Sequence, residues 1–289
     1  AREPLRKNVF VITGARTKAT QIKTSSNVCC VNRAPLVLRL CSTQRSRSRK
    51  LIDMGSSGEI FSFHLCKAPL ADVFGLLKRP AYKSGVPGLK HSEHFFTMNL
   101  GEPVMSGSRY NVTAAAMFAW WSSESRLDEF LKQPSHRYFD EGWHVRMRLY
   151  RRWGEIAELK DAAVDLDAKT PEGPVVAVTL ARLKLLETTR FIKWGKPVES
   201  QVRDHSGNTL ALAALRPLNT FSTFTIWRNE REMLDMVAGH DESKDGASHK
   251  LAMRERVRKD FHHEFMTMRF APIKEVGTWC GRSGFTSSS

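Results

Sequence analysis

The side chains best suited to chemistry in this sequence are histidines that recur in matched positions. Ser135-His136 follows the segment Phe118-Ala119-Trp120-Trp121, and Ser248-His249 follows Phe224-Thr225-Ile226-Trp227, each after an apolar helix pattern. A histidine near a helix end ordinarily satisfies backbone carbonyls. His144 and His263 form a second matched pair, in His144-Val145-Arg146-Met147 and His263-Glu264-Phe265-Met266. An imidazole titrates at about 6.5, so either residue is a candidate catalytic base if it faces a cavity, and a partly exposed strand residue if it does not. His91 and His94 have a metal-like spacing, but two ligands without a third make no site. His262 and His263 are adjacent and point apart, so they cannot share a metal. Arg182 and Lys184 alternate around Leu183 and, with Arg216, are able to meet an acidic group; the alternative is a solvated strand face.

Aromatic residues supply candidate walls. Trp120, Trp121, Trp143, Trp153, Trp194 and Trp227 suit a flat or polyene ligand and equally suit a core between sheets. Phe118, Trp121, Phe224 and Trp227 are the expected substrate-binding residues.

The elements that must position these groups follow from periodicity. Strand patterns occupy 60–65, 94–100, 114–121 and 143–150, with helix patterns at 71–78 and 123–140, the second carrying Pro134, which is expected to kink it or end its regular part. The first helix is closed by Arg79-Pro80. The same order returns: strands at 175–184, 209–215, 221–227 and 265–270, a helix within 187–203, and a second from 229 interrupted by a polar insert at 240–248. Each half reads β-α-β-β-α-β, the ferredoxin-like plan. Phe118 and Trp120 fall on one strand face and Trp121 on the other, as do Phe224 and Ile226 against Trp227. A sheet apolar on both faces meets helices on one side and a second sheet on the other. The expected fold is therefore α+β, two tandem ferredoxin-like units forming one intramolecular barrel by internal duplication. A ligand cavity is expected between helices and sheet or between the sheets. The expected domains are a disordered basic segment at 1–53, a first repeat at 54–156, a linker at 157–173, a second repeat at 174–282 and a disordered C-terminus at 283–289.

The net charge of +15 is concentrated in residues 1–53, which hold twelve basic and two acidic residues. The folded body carries only +5 and makes no case for nucleic acid. The tail reads as upstream sequence from a misplaced start, an Arg/Ser-rich targeting segment or a basic interaction arm. Five irregularly spaced cysteines fit a reducing cytoplasmic setting. The longest apolar runs are strand-length, so no membrane span is expected. Neither a dinucleotide-binding glycine motif, a phosphate loop nor a nucleophile elbow occurs, so no NAD, flavin or nucleotide cofactor is indicated.

The F-x-x-W strands followed by a helix and a histidine resemble the dimeric α+β-barrel monooxygenases. The segments 177–184 (AVTLARLK), 189–198 (TRFIKWGKPV) and 221–227, and the Met-rich last strand with Gly277-Thr278-Trp279, resemble the spheroidene monooxygenase family in particular. The likeness spans about 59–280. It implies oxygen chemistry on an apolar small molecule, with the electrons coming either through haem from an external donor or, without a cofactor, from the substrate itself. With haem, His136 or His249 would ligate iron, and Arg182 would meet a propionate. The alternative is a non-catalytic small-molecule or haem-binding protein of the same fold. The chain is expected as a monomer or homodimer.

Overall fold

The computed structural model describes residues 58–78, 85–164, 171–239 and 248–287; the basic tail, the Arg79-Pro80 helix stop and most of the polar insert lie outside them. The first half contains β1 (Ile60–Lys67), α1 (Leu70–Lys78), β2 (Leu89–Met98), β3 (Tyr110–Trp121), α2 (Glu124–Leu131), α3 (Arg137–Glu141) and β4 (Trp143–Glu155). The second contains β5 (Val175–Leu183), α4 (Thr188–Asp204), β6 (Asn208–Arg216), β7 (Thr220–Trp227), α5 (Glu230–Ala238), α6 (Ser248–Arg258) and β8 (His262–Val276).

The eight antiparallel strands close into a barrel in the order β1-β3-β2-β6-β7-β5-β8-β4. Each half supplies four neighbouring strands, and two seams join the halves. One is short, pairing Phe96–Met98 of β2 with β6. The other is long, running from His144↔Val276 to Glu155↔Phe265 between β4 and β8. That seam explains why β4 and β8 reach 13 and 15 residues, well beyond their local strand patterns. Their outer halves are held by pairing across the two halves of the chain, which no local pattern records.

Alternation along the strands divides the apolar residues as expected. Phe61, Phe63, Phe118, Trp120, Phe224 and Ile226 fill the barrel, where Phe63 stacks on Phe224 with centroids 3.8 Å apart. Trp121 points outward onto Leu127, Phe130 and Phe139 in the first half, and Trp227 onto Met233 and Met236 in the second. Local signals start and stop the helices. Asn229 Oδ1 accepts from the Glu232 N–H at 2.9 Å to cap α5, and Gly239, at φ 74°, ends it in the left-handed conformation.

The helix pattern over 123–140 is interrupted where Pro134 stands: α2 stops at Leu131 and Pro134, which has no N–H to donate, opens a 3-10 turn (Pro134–His136) before α3. Two expectations need correction. The supposed linker begins as barrel core: Leu159 and Ala162 are buried with Ile156 against the interior; residues 165–170 lie outside the description. The C-terminal segment is placed as far as residue 287. Phe285 is 3% exposed and meets Trp143 edge-on at 5.7 Å. Glu275 gathers this segment by accepting from the Gly284, Phe285 and Thr286 N–H groups, and from Trp143 Nε1 at 2.8 Å. A carboxylate with that many donors orders a segment whose composition alone looks disordered.

Candidate functional site

The two halves differ most in the space between helices and sheet. In the first half Phe130, Leu131 and Phe139 fill that layer against Trp121. In the second half the 17-residue α4 has a single buried residue, Gln201. Its apolar stripe (Phe191, Ile192, Trp194, Val198, Val202) instead borders a cavity of about 590 Å³. The floor is the outer face of β5, β7 and β8, where Thr179 lies directly across from Thr223 and from Thr267. Trp227, Met233, Met236, Ala252 and Met253 close the far wall. This volume lies in the range of small-molecule sites, and the lining is mostly apolar with a few polar groups.

Glu199 fixes the position of α4. Its carboxylate accepts from the Gly101 N–H at 3.0 Å, from Arg109 at 2.8 and 2.5 Å, and from Lys196 at 3.1 Å. Burial pushes its pKa up, but the Arg109 guanidinium holds it below the usual carboxylate range. A buried clamp between the first-half loop and α4 thus keeps the helix away from the threonine floor.

Two histidines border the cavity. His249 lies in the first turn of α6, where its N–H donates to Gln201 Oε1 at 3.0 Å, while Gln201 Nε2 donates to the Met236 carbonyl at 2.8 Å. Burial lowers its pKa, partly offset by hydrogen bonding to the Val237 backbone, and its Nδ1 is buried without a hydrogen-bond partner among the described residues. His262 opens β8. Its Nδ1 is 2.9 Å from Asp260 Oδ1, its ring meets Phe191 edge-on at 5.7 Å, and its buried Nε2 has no partner among the described residues. A carboxylate on one ring nitrogen fixes the tautomer and leaves the other as a lone-pair base. Burial lowers the His262 pKa, with Asp260 acting against it, so the ring is neutral and able to accept a proton near pH 7.

The cations of the wall are engaged by carboxylates. Besides Arg109 and Lys196 on Glu199, Arg256 lies 3.6 Å from Asp260 and Arg269 donates to Glu230 at 2.6 Å. The lining therefore offers a ligand apolar surface, hydroxyls and two neutral imidazoles.

Of the residues expected from sequence, His249, Trp153, Trp194 and Trp227 line this cavity. Trp227 is 1% exposed and donates from Nε1 to Thr225 Oγ1 at 2.9 Å. Phe118 and Phe224 are inside the barrel, and Trp121 is packed on Phe130 with its Nε1 donating to Ser62 Oγ. His136 lies in the 3-10 turn of the filled half, stacked on Phe130 at 3.8 Å with Nδ1 3.0 Å from the Phe130 carbonyl, the capping role open to a helix-end histidine. Arg182 is held by Glu93, Glu158 and Glu264, which leaves it unsuited to a ligand's acidic group. His263 is exposed and away from the cavity, because it faces opposite to His262 on β8. Among the described residues no three His, Cys, Asp or Glu side chains gather to hold a metal ion. His262 went unrecognised in the sequence, where the Asp-x-His spacing at the start of a strand was the available signal. The amphipathic stripe of α4 was the signal for Phe191 and Val198.

His144 is buried in the first half, stacked on His64 at 4.9 Å. Burial and Arg146 push its pKa down to about 4, and burial with the neighbouring His144 lowers that of His64. Both rings are neutral in the fold, so the unfolded chain binds more protons below its own pKa near 6.5. Stability is therefore expected to be level above about pH 6.5 and to fall as pH drops toward 4, by about 3 kcal/mol from His144 alone. Urea titrations at several pH values check this, and His144→Phe should flatten the slope.

An eight-stranded antiparallel barrel made of two four-stranded halves, each with helices outside, is the dimeric α+β barrel closed within one chain. No family model matches the chain. The chain is a homologue of the spheroidene monooxygenase of Rubrivivax gelatinosus, 27% identical over 205 residues that cover 68% of this chain and 74% of the relative. Similar solved structures include a presumed monooxygenase of Fusobacterium nucleatum, at 9% identity and TM-score 0.33, covering 76% of this chain and 94% of that one. Another is a heme-degrading enzyme of Listeria monocytogenes, at 11% identity and TM-score 0.24, covering 72% and 98%.

Proposed function

We propose that this chain is a monooxygenase that oxygenates an apolar small molecule in the cavity between α4–α6 and the sheet of its second half. The observation that carries the reading is this roughly 590 Å³ space, lined by two buried imidazoles that each keep a nitrogen without a partner among the described residues. Homology to a spheroidene monooxygenase supports the same reaction class.

The lining fits haem at one point: His249 Nδ1 is a buried, unpartnered donor of the kind that ligates haem iron. His249 would hold the iron, with Phe191, Trp227 and Met233 around the macrocycle. When bound, haem would supply dioxygen activation, drawing electrons from an external donor. The chain's own residues do the rest. The aromatic and methionine wall excludes water, the threonine floor orients a polar group on the ligand, and His262 Nε2 takes up a proton while Asp260 holds its Nδ1–H.

Titration with hemin tests the proposal. A Soret band that saturates at one haem per chain, with oxygen consumption on adding reductant and a hydrophobic polyene, is the expected result. Thr223→Trp, which fills the floor, should abolish both while leaving the fold intact. Haem and substrate handling unaffected by that substitution would place the chemistry elsewhere.

A further inference from the structure

Around the end of the cavity formed by Thr188, Phe191, Phe221 and Arg256, four apolar side chains stand in solvent. Leu186 is 97% exposed, Val257 89%, Leu218 87% and Leu185 61%. Each is close in sequence to a lining residue: Leu186 lies two before Thr188, Leu218 three before Phe221, and Val257 directly after Arg256. Backbone and ion-pair contacts hold these segments together. The Leu183 N–H donates to the Asn219 carbonyl at 2.8 Å, the Lys184 N–H to the Phe261 carbonyl at 2.8 Å, and Lys259 pairs with Glu187. Leu218 has φ 88°, a left-handed conformation disfavoured for a branched side chain, and it sits at the tip of the β6–β7 hairpin.

Charge accompanies the apolar tips. Residues 184–190 and 254–263 carry Lys184, Arg190, Arg254, Arg256, Arg258 and Lys259 against Glu187, Glu255 and Asp260. That excess of three is more than half of the +5 carried by residues 54–289. Protruding leucines ringed by lysine and arginine form the composition that lies in a bilayer interface, with the apolar tips among acyl chains and the cations at anionic headgroups. No helix among the described residues is long and apolar enough to cross a membrane.

We infer that this rim docks on an anionic lipid surface and presents the Phe191–Phe221 end of the cavity to the bilayer. Resting on the proposed apolar ligand, the inference gives that ligand a route, because such a molecule is concentrated in the membrane and nearly absent from water. The ligand would pass from lipid into the cavity without crossing the aqueous phase.

The full chain carrying Leu186→Trp or Leu218→Trp, mixed with vesicles of phosphatidylcholine and phosphatidylglycerol with brominated acyl chains, tests this directly. Quenching of the added indole beyond the wild-type background is expected, and unquenched fluorescence at saturating vesicle overturns the inference. In a second measurement, Leu186→Ser with Leu218→Ser and Val257→Ser should lower vesicle partitioning at least tenfold with an unchanged melting profile. The basic tail is present in both proteins, so its attraction to anionic lipid cancels in the comparison; equal partitioning overturns the docking face. Oxygenation of a detergent-dispersed substrate by the triple variant depends on the cavity alone, which separates failure of docking from failure of the proposed reaction.

Discussion

His249→Ala is expected to abolish the Soret band and to lower oxygenation by at least about a hundredfold, the usual scale for losing a group that acts in the chemical step. The same substitution at His136 is expected to leave both intact. The difference follows from position. His249 borders the hollow half with a bare ring nitrogen, whereas His136 is stacked on Phe130 and within hydrogen-bond distance of its carbonyl. Structural damage should be small, because the contact that anchors the start of α6 to Gln201 runs through the backbone N–H of residue 249, which alanine keeps. His262→Ala separates the two roles. It should retain the Soret band and lose turnover, with the pH dependence of kcat flattened where the wild type falls on acidification, since a neutral imidazole that accepts a proton is inactive once protonated. Absorption spectra and oxygen-electrode rates on the three variants check this. An unchanged spectrum in His249→Ala would remove this residue from the cofactor reading.

Glu93→Ala is expected to destabilise the fold by about 3–5 kcal/mol, the cost of leaving buried cations without their partner. Glu93 is 2% exposed and paired in register with Phe118, so it faces the barrel interior. There it meets Arg216 at 2.5 Å, Arg182 at 3.2 Å and His91 at 3.3 Å. Burial raises its pKa, but His91, Arg216 and Arg182 together hold it below the ordinary carboxylate value. Removing it leaves Arg182 with Glu158 and Glu264 and leaves Arg216, a half-buried side chain, without its carboxylate. Urea midpoints measure the effect; a change below about 1 kcal/mol would mean that the arginines re-pair at the barrel end. Glu93→Gln should fall between the two, since it keeps the shape and loses the charge.

Much of the barrel was legible because its cause is local. Alternation at Phe118–Trp121 and Phe224–Trp227 marks which side chain goes inward on each strand, and those assignments match the barrel interior and the helix-covered face. The order of elements in each half was legible for the same reason. Residues whose environment comes from distant segments were misread. Arg182 looks like an exposed strand cation until Glu93, Glu158 and Glu264 are brought around it. Phe285 sits in a Ser- and Gly-rich tail, yet Glu275 and Trp143 place it at the barrel end. His136 and His249 look equivalent as Ser-His pairs, and their different fates depend on whether the neighbouring layer is filled.

By itself the sequence determined the strand and helix periodicities, the twofold succession of elements and the need to bury two apolar sheet faces, because these depend on residues a few positions apart. Only the tertiary structure decided that the first helix layer closes on Phe130 and Phe139 while the second stands open beneath α4, and hence which histidines can meet a ligand. That choice is made by which side chains fill each layer and by the Glu199–Arg109 clamp, which joins residues ninety positions apart.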